Sequence, residues 1–242
     1  DKESGGFGSA PKFPGIMSIQ FLLEAYKLTH DEVALQHAVF SIDALLCGGI
    51  YDCLGSGLCR YTVDKAWLIP HFEKMLYDNA LLISVLCDAY TVTKNEVYKT
   101  VIDDLIKFAN RELKGDHDLY YCAIDADSEG EEGAYYCWTY DELKELLNKE
   151  EMAFAEKHLD VSEKGNWEGK TIIHVDELLL LSKEHEEFLL IRHKLFESRS
   201  KRIRPLTDDK ALLSWNALFN WSLVKAGKVL QNKLYLDVAE SN

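Results

Sequence analysis

The run WLIPHFEKMLYDNA, Trp67 to Ala80, sets His71, Glu73, Lys74, Tyr77, Asp78 and Asn79 among apolar residues. Histidine titrates near neutrality, and a carboxylate beside it supplies a partner for proton transfer. Just upstream, GGIYDCLGSGLCRYTVDKAW holds Asp52, Arg60 and Asp64 beside Tyr51, Tyr61 and Trp67, with four glycines, Gly48, Gly49, Gly55 and Gly57. Rings that stack on C–H faces and polar groups that fix hydroxyls are the means by which polyols are held. The bland counterpart is a structural loop tied by an Arg60–Asp64 ion pair, followed by a helix with Glu73–Tyr77 and Lys74–Asp78 pairs four residues apart.

These residues need elements to position them. Pro70 fits the first turn of a helix, where its missing N–H is harmless, so one helix is expected from there to about Thr93. On that helix His71, Met75 and Asp78 share one face, Glu73 and Tyr77 a second, and Phe72, Leu76 and Asn79 a third. Polar groups on every side suit an inner helix of a ring. Ile16, Ile19, Leu22, Leu23 and Tyr26 recur at helical spacing, and a second helix ends at Gly48-Gly49, giving a hairpin that turns near His30-Asp31. NEVYKTVIDDLIKFANREL returns as half of another hairpin. Helices are also expected from about Ser182 to Arg199 and from Asp208 to about Leu230, where Trp215 and Asn216 again mix an aromatic with an amide.

Between them, DLYYCAIDAD and GAYYCWT flank the acidic turn SEGEE and read as a β-hairpin, and GKTIIHV as a further strand. Thr139 and Glu142 form a capping-box pattern. The expected architecture is mainly α: a single domain over 1–242, about three αα-hairpins of a partial (α/α)6 toroid, with a small β-containing insertion at about 118–175.

Composition narrows the function classes. The 242 residues carry 27 basic and 41 acidic side chains, a formal net charge of −14. Such a balance argues against a nucleic-acid surface. No apolar run approaches the ~18–20 residues of a membrane span. Six cysteines include no C-x-x-C, so reduced thiols in a cytoplasmic protein are expected; a disulfide is best sought between Cys122 and Cys137. Asp125, Asp127 and Glu129 with Gly130 imitate an EF-hand loop, but its twelfth position is Tyr136, and GNWEGKT has only three residues between its glycines where a phosphate loop has four. Neither a metal nor another cofactor is expected.

GGFGSAPKFP, GGIYD, RYTVD, WLIPHFEKMLYDNA, DADSEGEEG, GNWEGK and TDDKALLSWN resemble, in this order, motifs of the family that includes spermatogenesis-associated protein 20 and bacterial YyaL. The resemblance runs to about Asn220. It implies a barrel similar to N-acylglucosamine 2-epimerases and six-hairpin glycosidases, preceded in the family by a thioredoxin-like domain. It further implies that this chain is a fragment without that domain and without roughly the last half of the barrel. The implied function is binding and modification of a small carbohydrate, by epimerisation or hydrolysis; the polar helix face beside the glycine- and aromatic-rich loop makes His71 the expected general acid/base, with Asp64 or Glu73 as its carboxylate partner. Tyr51, Asp52, Arg60, Trp67, Asp78, Asn79, Trp215 and Asn216 are the expected substrate-binding residues. The alternative is a non-catalytic scaffold that serves a partner or the thioredoxin-like domain. Uncovered apolar helix faces are expected to promote self-association.

Overall fold

The structure, a computed structural model, describes residues 1–175 and 185–242. Three helical hairpins make its frame. The first joins α1 (Ile16–Thr29) to α2 (Glu32–Cys47). His30 ends α1 in the left-handed region, its N–H donating to the Tyr26 carbonyl, and the Asp31 side chain then accepts from the N–H groups of Val33 and Ala34. This stop and N-cap, one after the other, make the tight turn. The second pairs α3 (Leu76–Thr93) with α4 (Glu96–Glu112), with Lys94 as the left-handed stop and Asn95 as the cap. The third joins α8 (Leu213–Val229) to α9 (Lys233–Ser241), capped by Asn232.

Helix α3 lies between α1 and α8, while α2, α4 and α9 pack outside their partners. Twelve of its eighteen residues are buried, so it has no solvent face of the usual kind. Asp88 ties the three inner helices together: it accepts from Lys27 of α1 at 2.9 Å and from Lys225 of α8 at 2.5 Å. Apolar packing of Leu23, Leu82, Ile83, Leu86, Phe219 and Leu223 fills the space between them.

The entry to α3 differs from the expected helix. Pro70–His71 is a strand (β2) paired antiparallel with Tyr61–Thr62 (β1). Lys74–Met75 (β3) pairs with Ala123–Ile124 (β4), and the Leu76 N–H donates to the Cys122 carbonyl at 2.8 Å. Burial alternates from Pro70 to Lys74, with Phe72 and Lys74 inside and His71 and Glu73 facing out. Partners far along the chain thus hold this stretch extended, and the helix begins only at Leu76.

The insertion is also rearranged. The acidic turn is itself the hairpin, Asp127–Ser128 (β5) against Glu131–Glu132 (β6). Residues 135–138 form no strand, because the N–H groups of Tyr136 and Cys137 both turn back to the Gly133 carbonyl. The other side of β4 takes Thr207–Asp208 (β7), so Asp208 lies in a strand and α8 starts five residues later. The stretch 169–175 makes only single bridges, at Lys170 and Thr171. Helices α5 (Tyr140–Leu146), α6 (Lys149–His158) and α7 (His185–Arg199) enclose a second core around Trp138, Leu143, Ile191 and Leu195. The Thr139–Glu142 capping box is present, and Asn148–Glu151 repeats it at α6. Of the helix expected from Ser182, residues 182–184 lie outside the described residues. Cys122 and Cys137 are separate thiols.

Candidate functional site

The outward face of the β2–β3 run gathers the titratable groups. His71 and Glu73 are two residues apart on an extended backbone, so their side chains leave on the same side, with Nε2 3.8 Å from Oε2. His71 Nδ1 forms a 2.7 Å hydrogen bond with Glu132 Oε1 of the acidic hairpin, and its ring stacks on Tyr61 at 5.0 Å. Arg60 Nη1 donates to Glu73 Oε2 at 2.9 Å. The sequence pattern offers no signal for Glu132 as the partner of His71, because 61 residues separate them.

Asp78 enters from the first turn of α3. Burial pushes its carboxyl up to about 7, an effect that Tyr77 and Arg60 oppose and Glu73 reinforces. Its Oδ2 atom is buried and has no hydrogen-bond partner among the described residues. Tyr77, on the other side, meets the Trp215 ring at 4.8 Å and 60°. Met75, Cys122 and Ala123 pack behind this aromatic pair. The face therefore combines a carboxyl poised near neutrality, a histidine between two carboxylates, an arginine and an aromatic wall.

Other expected binding residues serve the framework. Asp64 accepts from the N–H groups of Ala66, Leu68 and Ile69, at 2.6, 3.2 and 2.6 Å, and so shapes its own turn rather than pairing with Arg60 or His71. Trp67 is buried, with Nε1 donating to the Ser4 carbonyl and Lys12 over its ring. Tyr51 is buried too, and burial pushes its hydroxyl well above the usual range. Asn79 accepts from the Leu58 N–H at 2.8 Å and donates to the carbonyls of Leu58 and Met75. Asn216 does the same on α8, accepting from Tyr120 N–H at 2.9 Å and donating to the carbonyls of Tyr120 and Leu212. Each amide copies a peptide group and closes a backbone pair that no strand supplies.

Asp52 is the centre of a buried ion cluster. Arg199 donates to both its oxygens, at 2.9 and 2.8 Å, and Lys74 to one at 2.7 Å. Burial opposes the carboxylate, but the charges of Arg199 and Lys74 outweigh it and hold Asp52 well below the usual range. Nearby Gly57 has φ +96°, and a Cβ there would lie 2.8 Å from the Phe108 ring. Helical spacing pairs Lys74 with Asp78; its inward position in the strand sends it to Asp52 instead. A lysine at the buried parity of an alternating run is the available signal.

Three carboxylates of the acidic stretch are engaged. Asp125 accepts from Asp127 N–H, Glu131 from Lys170, and Glu132 from Phe72 N–H as well as binding His71. Cavities of about 430 and 310 Å³ lie beside Arg202 and beside Trp67, and neither is lined by His71, Glu73 or Asp78. Their walls lack a histidine between carboxylates, so the arrangement of charge, rather than volume, singles out the Asp78 face. No described helix is long and apolar enough to cross a membrane.

This geometry is found in a chain with recognisable relatives. In an alignment 268 positions long that covers 95% of the chain, it is 34% identical to spermatogenesis-associated protein 20 of Rattus norvegicus, and equally so to the Homo sapiens protein. The chain is a homologue of spermatogenesis-associated protein 20. An uncharacterized Caenorhabditis elegans protein is 32% identical over 99% of the chain. The chain spans about a third of the length of these relatives, 34–38%. No protein-family model matches it. Among solved structures, a GH76 alpha-mannanase from Bacteroides thetaiotaomicron aligns with 98% of the chain and 44% of its own, at TM-score 0.54 and 12% identity. A cellobiose 2-epimerase from Bacillus thermoamylovorans aligns with all of the chain and 80% of its own, at TM-score 0.47 and 13% identity. The fold is that of α/α toroids, with a small β-containing insertion.

Proposed function

We propose that this chain forms the proton-transfer half of a carbohydrate-modifying toroid, with Asp78 as its general acid/base. The observation that carries the reading is the unpartnered Asp78 Oδ2, buried at the head of the central inner helix. A carboxyl raised to about 7 is half protonated near physiological pH, so it can both give and take a proton. Glu73 and His71 supply the second acid/base position, oriented by Arg60 and Glu132 respectively. Tyr77 and Trp215 form the apolar platform on which the C–H face of a sugar ring rests. The related fold of a GH76 alpha-mannanase supports a carbohydrate as substrate. His71 keeps its expected role in this reading, while Asp64 leaves the catalytic set because backbone amides occupy it. Reduced Cys122 and Cys137 fit a cytoplasmic setting.

The test is proton NMR in D2O on the intact protein with aldoses, ketoses and N-acetylated amino sugars. Exchange of a carbon-bound proton, or cleavage of a glycoside, is expected with the wild type and lost in Asp78→Asn. Turnover undiminished in Asp78→Asn overturns the assignment.

A second reading, a scaffold that serves a partner domain such as the thioredoxin-like one, draws on a specific observation. Asp52, Asp64, Trp67, Asn79 and Asn216 all spend their polar atoms on internal bonds. No exchange, no cleavage and no line broadening across the panel would favour it.

A further inference from the structure

The cluster around Asp52 carries more positive than negative charge. Lys74 and Arg199 are two buried cations on one buried carboxylate, with side-chain exposures of 2%, 3% and 7%. On the outer side, Arg111 and Arg204 also share a single carboxylate, Glu112. Four cations and two carboxylates thus surround one space, a cavity of about 20 Å³. That is room for a single water-sized species. Arg199 Nε is buried and has no hydrogen-bond partner among the described residues.

Aromatic faces compensate only part of the excess. The rings of Tyr135 and Tyr136 lie 5.3 Å from the Arg199 guanidinium, and Tyr136 and Phe108 lie 4.7 and 5.1 Å from Lys74 Nζ. A ring quadrupole is a weaker counter-charge than an ion, and a net charge in a low-dielectric interior is costly. Burial drives the Lys74 ammonium and the Arg111 guanidinium down; the charge of Asp52 opposes this shift, and that of Arg199 adds to it. Gly55 permits the crowding: a Cβ at that position would lie 2.1 Å from Arg199 Nη2.

We infer that the cavity between Lys74, Arg199 and Arg111 binds a small monovalent anion of chloride size. A negative ion there offsets the excess charge. Sulfate and phosphate are too large for the space. The site is independent of the Asp78 face and rests on none of the chemistry proposed for it.

Two measurements test the inference. Thermal melts at constant ionic strength compare sodium chloride with sodium methanesulfonate, whose anion does not fit. A saturable rise in Tm with chloride alone is expected, and it should vanish in Arg111→Met, which leaves the Asp52–Lys74–Arg199 bonds in place. Anomalous scattering from crystals grown in sodium bromide should show a peak inside the cavity, between Lys74, Arg111 and Arg199. Equal melts in the two salts, or bromide found only on the surface with water in the cavity, overturn the inference. If Arg111→Met fails to fold, the wild-type melts and the bromide map still decide.

Discussion

His71 and Glu73 face the same way, with 3.8 Å between Nε2 and Oε2, because the backbone between them is extended rather than helical. On a helix, residues two apart point about 200° away from each other and cannot meet. The pairing of β2 with β1 therefore creates the site. Replacing Val63 by proline removes the N–H that donates to the Ile69 carbonyl at the end of this pairing. The expected result is lost registration of His71 against Glu132, read as a changed His71 side-chain resonance in NMR, with the helices intact by circular dichroism.

Asp78 makes stability depend on pH. Its folded pKa, about 7, stands above the ordinary aspartate value of 3.8, so the folded state binds the extra proton between these limits. Stability is fullest below pH ~4 as far as this group is concerned, declines as pH rises towards 7, and then levels off. A tenfold change in proton affinity is worth ~1.4 kcal/mol, which makes the whole contribution on the order of 4 kcal/mol. Urea denaturation from pH 4 to 8 should show this slope in the wild type and lose it in Asp78→Asn. Parallel profiles for the two proteins would refute the assignment.

Catalysis gives the same residue a second readout. Removing a positioned acid/base typically costs about 10²–10⁴-fold in rate. We expect a loss of that size in kcat for Asp78→Asn, with sugar affinity nearly unchanged. A loss confined to affinity would make Asp78 a binding residue only.

Asp52→Ala leaves Lys74 and Arg199 buried without their shared counter-ion. Breaking a buried pair in this way costs about 3–5 kcal/mol. Because the folded pKa of Asp52 is depressed, its contribution is present above pH ~4 and is lost as pH falls below that. Denaturation midpoints of wild type and variant should therefore differ at pH 7 and converge in acid.

Asn79→Ala and Asn216→Ala should each cost about 1–3 kcal/mol, since the N–H groups of Leu58 and Tyr120 are left buried without an acceptor. The two losses should add, because the amides share no partner. Chemical denaturation of both single variants and the double variant checks this.

Met17, Phe21 and Leu28 form an exposed stripe on α1, and Leu213, Trp221 and Leu234 are exposed on α8 and α9. Uncovered apolar helix faces associate in water. Sedimentation of the isolated chain should show concentration-dependent oligomers that Phe21→Lys together with Trp221→Lys weakens. A monomer at all concentrations would contradict this.

Local patterns alone determined a great deal of this protein. Helical spacing, the His30-Asp31 turn, the Thr139–Glu142 box and the chain of ordered motifs are legible because each involves neighbours within a few residues. Tertiary structure decided the rest. Pro70 to Met75 is extended because Tyr61, Thr62, Ala123 and Ile124 satisfy its backbone, and those partners lie up to about 50 residues away. Asp52 finds Arg199 across 147 positions, and Asn216 finds Tyr120 across 96. Asp78 is visible in the sequence as a polar residue of the Trp67–Ala80 run, but its proton affinity depends on burial by elements distant in the chain. Hydrogen-bond supply and dielectric environment are properties of the packed state, and periodicity along the chain carries no record of either.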